Sequence, residues 1–416
     1  MGPPMTRPAR PVTRTFTLAI ALLALLLASG CGRKGIEQLG REELFSLSLG
    51  KLEDQIDLFQ LDESTLDRKN RVAMRDGLFY IANGNSDKIM TFTSYGDLIF
   101  LLYNPATNPA PMLQGSRAGD DTVSTRGSAA VPFSDIGEIA VASDKRLYVE
   151  DAVSRGKAVK DTARGVLQDR VVLRFDRKGR AEGYIGQEGL GGAPFPYISG
   201  LFVTTRDALV VVCRVPDAWQ VFWYSREGSL VYRTEIDTAH LPPAQEKGLI
   251  QSLVTVIPDM QDPVLHLLIH SYRQTIDQST HTQSSVEIVS SRVWNLDLRS
   301  QTYASFIELP RNAPRREKVG LKTIEIPAPP GDLLGVGASG NYYVLAFADS
   351  NLYRLQILDP SGRLRAQRFM IIEDSELTYR DIRLSPTGII YGLLADQVRV
   401  HLSWWRSDLL LKREEG

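Results

Sequence analysis

The feature that most constrains the fold of this chain is a repeated group of short apolar runs that begins near residue 70. Each group has two apolar runs, a tight turn and a third run; in one of them RLYVED precedes RVVLRF, the turn Asp176–Arg180 and AEGYIG. Short runs rich in Val, Ile, Tyr, Phe and Leu and bounded by Gly, Asp and Ser are typical of β-strands. A Gly late in the turn suits a short hairpin loop. The pattern therefore predicts repeated β-hairpins.

About six such groups follow one another, and most are preceded by one more predicted strand. The preceding strands are IGEIAVAS at 136–143, ISGLFVT at 198–204, SLVTVIP at 252–258 and RDIRLSP at 380–386. Four-stranded units that repeat about six times describe a β-propeller. The sequence thus predicts an all-β, six-bladed propeller with four-stranded antiparallel blades.

The sixth group lacks a fourth strand, because the chain nearly ends after VRVHLSWW at 398–405. An open ring would expose a sheet edge there, and exposed edges favour aggregation. We predict that residues 45–61 (FSLSLGKLEDQIDLFQL) supply the missing strand and close the ring, within a propeller domain of residues 45–416. The alternative is a lone helix through 51–61.

The loops of a meandering blade divide between the two faces of the disc. First-to-second and third-to-fourth turns share one face, whereas second-to-third loops and links between blades share the other. The first class is short throughout, and nearly every long insertion falls in the second: 104–134, 152–169, 237–250, 272–291 and 309–331. Long loops are commonly functional or disordered. The distribution therefore fits either a recognition face or solvated insertions, since closure entropy grows slowly with loop length.

The N-terminal segment has the features of an export signal. Three arginines precede the apolar run Leu18–Leu27, which is shorter than the roughly 20 residues of a membrane-spanning helix. A basic start, a short apolar middle and a small-residue end are typical of a secretory signal peptide. Leu27-Ala28-Ser29-Gly30-Cys31 also resembles the bacterial lipobox, which implies cleavage between Gly30 and Cys31 and lipidation of Cys31. The alternatives are an uncleaved anchor and a soluble secreted protein.

The lipobox resemblance divides the chain into a signal peptide (1–30), a tether (31–44) and the propeller. It implies a protein held at a membrane of the bacterial cell envelope by acyl chains, palmitate among them. The membrane is either the outer membrane or the inner membrane at its periplasmic face. Two or more acyl chains hold a protein stably, whereas one holds it only marginally.

The second repeat, RLYVED with RVVLRFDRKGRAEGYIG and the Gly-rich step that follows, is similar to an NHL-type propeller repeat. A lipobox followed by such units resembles a family of spirochaetal lipoproteins. The resemblance implies a propeller fold and a binding role. It carries over no catalytic residue.

Charge and motifs argue against several function classes. The formal net charge is −1, so no basic excess indicates a nucleic-acid partner. Gly335–Gly340 matches GxGxxG, but the strand-like NYYVLAF follows it instead of the helix that a dinucleotide site needs.

His266 and His270 have no evident third ligand, so structural roles are favoured over a metal site. Cys213 lies in an apolar run and is predicted to be buried. No motif indicates a catalytic residue, a metal or a cofactor.

One basic cluster is a candidate partner-binding site. It contains Arg311, Arg315, Arg316 and Lys318 beside a single acid, Glu317. Such a cluster suits an acidic partner or lipid head groups. The alternative is a solvated charged loop.

The favoured function is that of a lipid-anchored, non-enzymatic binding or scaffold module with a protein or glycan partner in the envelope. The alternative is a metal-assisted hydrolase or lactonase whose channel acids, such as Glu138, Asp144 or Asp349, would ligate the metal. A further option is an assembly scaffold in outer-membrane biogenesis. The sequence leaves the oligomeric state open.

Cys31→Ala tests the lipid anchor. The substitution removes the thiol that would carry the acyl chains, so we expect the protein to leave the membrane fraction and its N-terminal peptide to lose the lipid mass. Cell fractionation and mass spectrometry of the mature N-terminus measure both effects. Cys213→Ala serves as the matched control and should change neither. An unaltered mass and membrane fraction in Cys31→Ala would contradict the prediction.

Overall fold

The computed structural model of the protein describes residues 2, 37–58, 68–112, 126–276, 283–312, 314–319, 322–326 and 328–412. Tertiary contacts separate Met1–Glu37 from a second compact unit, Gln38–Gly416, which contains every described strand. A search of the described helices finds none with the length and hydropathy of a membrane span. Gly30 and Cys31 lie outside the described residues.

Six sheets form the blades of a β-propeller, which confirms the predicted all-β, six-bladed fold. The first described strand, β1 (Glu42–Ser48), belongs to blade 6. Blade 1 contains β2 (Asn70–Arg75), β3 (Leu78–Asn83), β4 (Lys88–Thr93) and β5 (Leu98–Tyr103), with β6 (Gly127–Ala130) parallel to β5 at its edge.

Blade 2 is interrupted by a small hairpin and carries a short extra edge strand. It contains β7 (Ile139–Val141) and β8 (Leu147–Ala152), the inserted 3₁₀ turn Arg155–Lys157 and hairpin β9 (Val159–Asp161) with β10 (Val166–Gln168), then β11 (Arg170–Phe175), β12 (Ala181–Gly186) and β13 (Gly189–Leu190). Blade 3 contains β14 (Ile198–Val203), β15 (Leu209–Arg214), β16 (Ala218–Tyr224) and β17 (Leu230–Asp237).

The remaining blades follow the same order from the innermost strand outward. Blade 4 contains β18 (Ile250–Pro258), β19 (Val264–Ile276), β20 (Gln283–Asp297) and β21 (Thr302–Glu308), and is followed by hairpin β22 (Arg315–Val319) with β23 (Lys322–Ile326). Blade 5 contains β24 (Asp332–Val336), β25 (Tyr342–Asp349), β26 (Leu352–Leu358) and β27 (Leu364–Ile371). Blade 6 contains β28 (Tyr379–Leu384), β29 (Ile390–Ala395), β30 (Arg399–Trp405) and, outermost, β1; helix α1 (Asp408–Lys412) follows.

The core lies between neighbouring blades, because successive residues of a strand point to opposite faces of its sheet. In β15, Val211 and Cys213 pack in the cluster towards blade 2, whereas Val210 and Val212 pack against blade 4. A strand with both faces buried is apolar along its length, which explains the run LVVVC. Cys213 is buried, as predicted.

Pairing of the first and last strands closes the ring. β1 lies antiparallel to β30, from the pair Glu42–Trp404 to the pair Ser48–Arg399. Leu47 is buried in a cluster that contains Phe79 and Phe92 of blade 1. The closing strand therefore covers the edge of β30 and also joins blade 6 to blade 1.

The closing strand differs in extent from the predicted segment 45–61. It begins at Glu42, within the predicted tether 31–44, and ends at Ser48 before Gly50, whose φ of 145° favours glycine and turns the chain. The described residues up to 58 form turns rather than a helix, and 59–61 lie outside the description. The buried Lys88 fastens this turn, since its Nζ donates to the carbonyl oxygens of Leu52 (2.6 Å) and Lys51 (3.3 Å). Burial lowers the pKa of Lys88 to about 8.

Several predicted insertions contain regular structure. Residues 152–169 include hairpin β9–β10, and residues 309–331 include hairpin β22–β23. Much of 272–291 extends β19 and β20, and 104–134 contributes β6, although 113–125 lie outside the described residues. Residues 238–249 contain turns and no strand.

Leu47→Ala tests the closing contact. Leu47 is 8% exposed and Leu364, on the outer strand of blade 5, is 51% exposed. Removing a buried leucine side chain costs transfer energy and leaves a cavity, so we expect Leu47→Ala to lower the free energy of unfolding by about 2–4 kcal/mol and Leu364→Ala by less than about 1 kcal/mol. Urea denaturation followed by tryptophan fluorescence measures both. Equal losses would show that β1 does not join the core.

Candidate functional site: the channel mouth and the insertion face

The propeller axis is lined mainly by apolar side chains, with Arg75 and Arg383 among them. The innermost strands of all six blades line a cavity of about 130 Å³, with Val72, Val141, Leu201 and Ile257 among its walls. These first strands contact their neighbours around the axis: β28 contacts β2, β2 contacts β7, and β7 contacts β14. The middle of the channel therefore offers little room for a ligand.

A wider cavity of about 510 Å³ lies where several innermost strands begin. Lys69 and Arg71 of blade 1, Tyr197 before β14 and Tyr379 of blade 6 line it. The Lys69 ammonium lies 4.3 Å from the centre of the Tyr197 ring. We call this cavity the channel mouth. Its volume is within the range of small-molecule pockets, about 300–1,000 Å³.

Ion pairs at the channel mouth join blades 6, 1 and 2. Glu138, which precedes β7, accepts from Arg71 Nε at 2.7 Å and from Arg383 Nη2 at 3.0 Å. Arg383 Nε also donates to Asp381 Oδ1 at 2.8 Å, and Asp381 Oδ2 accepts from the Val72 amide at 2.9 Å. The buried carboxylate of Glu138 thus joins blade 2 to Arg71 of blade 1 and Arg383 of blade 6.

Glu150 extends the network to blade 3. Its two oxygens accept from Lys69 Nζ at 2.8 and 3.0 Å, and the same ammonium donates to the Ile198 carbonyl at 2.6 Å. The amide of Glu138 donates to Glu150 Oε2 at 2.7 Å. A Cβ on Gly137 would lie 2.2 Å from that oxygen, so a larger residue there would displace the Glu150 carboxylate.

The two carboxyls have opposite pKa shifts. Burial raises the pKa of each, but at Glu138 the charges of Arg383, Arg71 and Lys69 outweigh burial and hold the pKa below its usual range. At Glu150 burial outweighs Lys69, and the nearby Glu138 adds to the effect, so its pKa is raised. Lys69, Arg71 and Arg383 at the channel mouth therefore already form ion pairs with the buried carboxylates of Glu138 and Glu150.

The three acids considered above as possible metal ligands lie in different parts of the fold. Glu138 is at the channel mouth, Asp144 is in the β7–β8 turn with Arg226 at 2.9 Å, and Asp349 ends β25. In the described part of the chain, no group of three or more His, Cys, Asp or Glu side chains is placed to hold a metal ion.

His266 and His270, the histidines considered above as possible metal ligands, both lie in β19. His266 Nδ1 is 2.8 Å from Asn295 Oδ1, and its Nε2 is 3.4 Å from Asp259. His270 is 3% exposed, and burial lowers its pKa. Gly335–Gly340 spans the end of β24 and the turn into β25, with no helix after it.

We define the insertion face as the side of the disc that carries the links between blades and the second-to-third loops. Two of its insertions are fastened to the next blade. Arg164 of hairpin β9–β10 pairs with Asp217 (3.0 Å) and Glu235 (2.5 Å) of blade 3. Glu246, in the link from blade 3, pairs with Arg273 of β19 at 2.7 Å. These two insertions are therefore held in place by contacts across blades.

The predicted basic cluster lies on this face. Arg311 is exposed in the link after β21, and Arg315 and Arg316 begin β22. Lys318, in the same strand, is exposed. The ion-pair network at the channel mouth was not predicted; one available signal was the presence of Arg383 within the predicted strand 380–386.

Comparison with solved structures finds distant propeller similarity. The chain is similar to the propeller of Dos1, with 11% identity and a TM-score of 0.33 over 89% of this chain and 95% of that one. It is also similar to the Nup170 N-terminal domain of Chaetomium thermophilum, solved with Nup53, with 14% identity and a TM-score of 0.35 over 83% of this chain and 52% of that one. No family model and no curated protein matches the sequence. At these values the similarities carry no argument about function.

Glu138→Gln and Glu150→Gln should change stability with opposite pH dependence. Breaking a buried ion pair costs about 3–5 kcal/mol, so we expect Glu138→Gln to lower the free energy of unfolding by about that amount at pH 7. Because the folded pKa of Glu138 is lowered, its contribution is present above the ordinary value of 4.5 and is lost as pH falls through the folded pKa. The folded pKa of Glu150 is raised, so the wild type should lose stability relative to Glu150→Gln as pH rises from 4.5 through that pKa.

Urea denaturation of the three proteins from about pH 3 to pH 8 measures these differences. The two variants are matched, since each replaces one buried glutamate by its neutral isostere. A pH dependence of the same sign in both variants would contradict the assignment of the two pKa shifts.

Proposed function

We propose that this protein is a lipid-anchored β-propeller of the bacterial cell envelope that acts as a non-enzymatic binding or scaffold module, with a protein or glycan partner received on the insertion face. The observation that carries the proposal is the concentration of structured insertions on one side of the disc. A bare propeller needs none of them, and the turns of the opposite face are short.

The ordering of these insertions favours recognition over solvated loops. Fixing the backbone of one residue costs about 1–2 kcal/mol of conformational entropy. Hairpins β9–β10 and β22–β23 are ordered strands, and Arg164 fastens the first of them to blade 3. A face whose loops are held in fixed positions presents a preorganised surface, which lowers the entropy cost of binding.

The anchor in this proposal is Cys31, at the end of the lipobox-like segment 27–31. The tether meets the propeller rim at blade 5, where the Leu39 amide donates to the Phe369 carbonyl at 2.8 Å and Arg41 pairs with Glu373 at 3.1 Å. The chain from Cys31 to Gln38 spans at most about 25 Å when extended. A lipid on Cys31 would therefore keep the rim close to the membrane.

Charge reversal on each face tests the proposal. We expect Arg311→Glu with Lys318→Glu, on the insertion face, to reduce recovery of a crosslinked partner from intact cells by at least about tenfold, because a complementary charge pattern becomes repulsive. Arg177→Glu with Lys178→Glu, in the β11–β12 turn of the opposite face, is the matched control and should leave recovery unchanged. Quantitative mass spectrometry of the crosslinked species measures both.

A third variant, with a short Gly-Ser link in place of residues 309–331, extends the test to a partner held by backbone contacts. Partner recovery that is unchanged in both insertion-face variants and reduced in the opposite-face variant would overturn the proposal. Thermal unfolding at the wild-type temperature in each variant establishes that the fold is intact.

A further inference from the structure

Arg75 ends the innermost strand of blade 1, on the face of the disc that carries the short turns. Its side chain is 15% exposed, and its one ion pair among the described residues is with Asp76, whose Oδ2 lies 4.0 Å from Nε. The Nε atom is buried and has no hydrogen-bond acceptor in the described part of the chain. A guanidinium is always charged and has five N–H donors, and a buried donor without an acceptor costs about 1–3 kcal/mol. Arg75 therefore lacks an acceptor that a ligand could supply.

Arg75 lines two cavities that adjoin at the end of β2. One is the axial cavity of about 130 Å³ described above, and the other has a volume of about 320 Å³. Met74, Arg75, Ser385 and Pro386 line both of them. We call the larger cavity the short-turn pocket, because first-to-second turns of blades 1, 3, 5 and 6 contribute to its walls. Its volume is at the lower end of the range of small-molecule pockets, about 300–1,000 Å³.

The short-turn pocket combines apolar walls with hydrogen-bond donors from two blades. Met74 and Ile389 are among its apolar walls. Ser385 Oγ accepts from the Ile389 amide at 2.9 Å and lies 3.0 Å from Thr387 Oγ1. When Ser385 donates to Thr387, the Thr387 hydroxyl keeps its own proton for a ligand. Thr387 of blade 6 and Arg75 of blade 1 thus supply donors to one pocket.

The charges around the pocket favour an anion. Among the described residues that line it, Arg75 is the only basic one and Asp76 the only acidic one. The side chain of Asp76 is 65% exposed and also forms a close ion pair with Lys145, so two cations share one carboxylate. Arg206, in the β14–β15 turn, is exposed and adds a further positive charge. The adjacent Asp207 is buried and accepts from an amide and a hydroxyl of the β7–β8 turn.

We propose that the short-turn pocket binds a small organic carboxylate. The carboxylate accepts from the Arg75 guanidinium and the Thr387 hydroxyl, and the apolar part of the ligand packs against Met74 and Ile389. A planar carboxylate matches the fork of a guanidinium, and charge-assisted hydrogen bonds are about twice as strong as neutral ones.

A carboxylate suits this pocket better than a phosphate. A phosphate monoester carries about 1.5–2 negative charges at pH 7, whereas Arg75 is the one cation among the described lining residues. The inference goes beyond the proposed function, because the pocket lies on the face opposite the insertions.

Benzoate and its uncharged isostere benzamide test the proposal in ligand-observed NMR titrations of the full chain in detergent. We expect the Kd of benzoate to be at least about tenfold lower than that of benzamide, since only benzoate forms charge-assisted hydrogen bonds. Arg75→Gln should raise the Kd of benzoate at least about tenfold. Arg75→Lys should raise it less, because it keeps the charge and loses the fork. Arg177→Gln, in the β11–β12 turn, is the matched control and should leave the Kd unchanged.

A second variant and a second measurement locate the site. Thr387→Val removes the hydroxyl from an exposed turn and should also weaken benzoate binding, by about threefold to tenfold for one hydrogen bond. Benzoate should slow hydrogen exchange of backbone amides in 75–77 and 385–389. It should raise the unfolding temperature of the wild type and leave that of Arg75→Gln unchanged, because only binding to the folded state stabilises it.

Equal Kd values for benzoate and benzamide, or benzoate binding that neither Arg75→Gln nor Thr387→Val weakens, would overturn the proposal. So would the absence of binding by benzoate, butyrate and hexanoate at concentrations up to about 10 mM, which are far above the Kd of a specific site. Phenyl phosphate that binds more tightly than benzoate and requires Arg75 would assign the pocket to phosphate esters instead. The insertion-face variants described above are unaffected by any of these results, so the proposed function is tested separately.

Discussion

The β-ladder between β1 and β30 is the constraint on which the rest of the structure depends. It joins residues 362 positions apart, as in the hydrogen bond from Trp404 Nε1 to Glu42 Oε2 at 2.7 Å. Every other blade is built from strands that are close in sequence, whereas this ladder ties the N-terminal strand β1 to the last blade. Closure entropy grows with the logarithm of loop length, so joining such distant strands costs only a few kcal/mol more than joining neighbours. The apolar contact of Leu47 with blade 1 adds to the hydrogen bonds of the ladder.

Ring closure also creates the polar network at the channel mouth. Arg383 of blade 6 reaches Glu138 of blade 2 only when the ring is closed, and Arg71 of blade 1 lies between them. These charges are desolvated and matched, so their first effect is to hold neighbouring blades in register. The cavity along the axis is small and lined mainly by apolar side chains. The features open to a partner on the insertion face include the exposed Arg311 and Lys318 and hairpin β9–β10, which Arg164 fastens to blade 3.

The fold was accessible to sequence reasoning because its units are local. Alternation and turn residues such as Asp359 and Gly362 mark each hairpin without reference to the rest of the chain. The same reasoning placed the insertions in one class of loops and placed a strand after 335–340, where β25 lies. It did not reveal that Glu138 meets Arg71 and Arg383, which lie 67 and 245 positions away. It also missed that much of 272–291 extends two strands, because β-branched residues mixed with Ser and Thr give a weak pattern.

By itself, the sequence determined the number of blades, the order of strands within them and the face that carries the long loops. It also determined that a strand from the N-terminal region was needed at the end of the ring, since the sixth group is one strand short. The tertiary structure decided that this strand is Glu42–Ser48, that buried charges from blades 6, 1 and 2 meet at one carboxylate, and that β20 continues past its partner. The physical reason is the separation along the sequence of the groups that interact. Hairpin patterns depend on neighbouring residues, whereas edge pairing and the pairing of buried charges depend on groups that only the closed ring brings together.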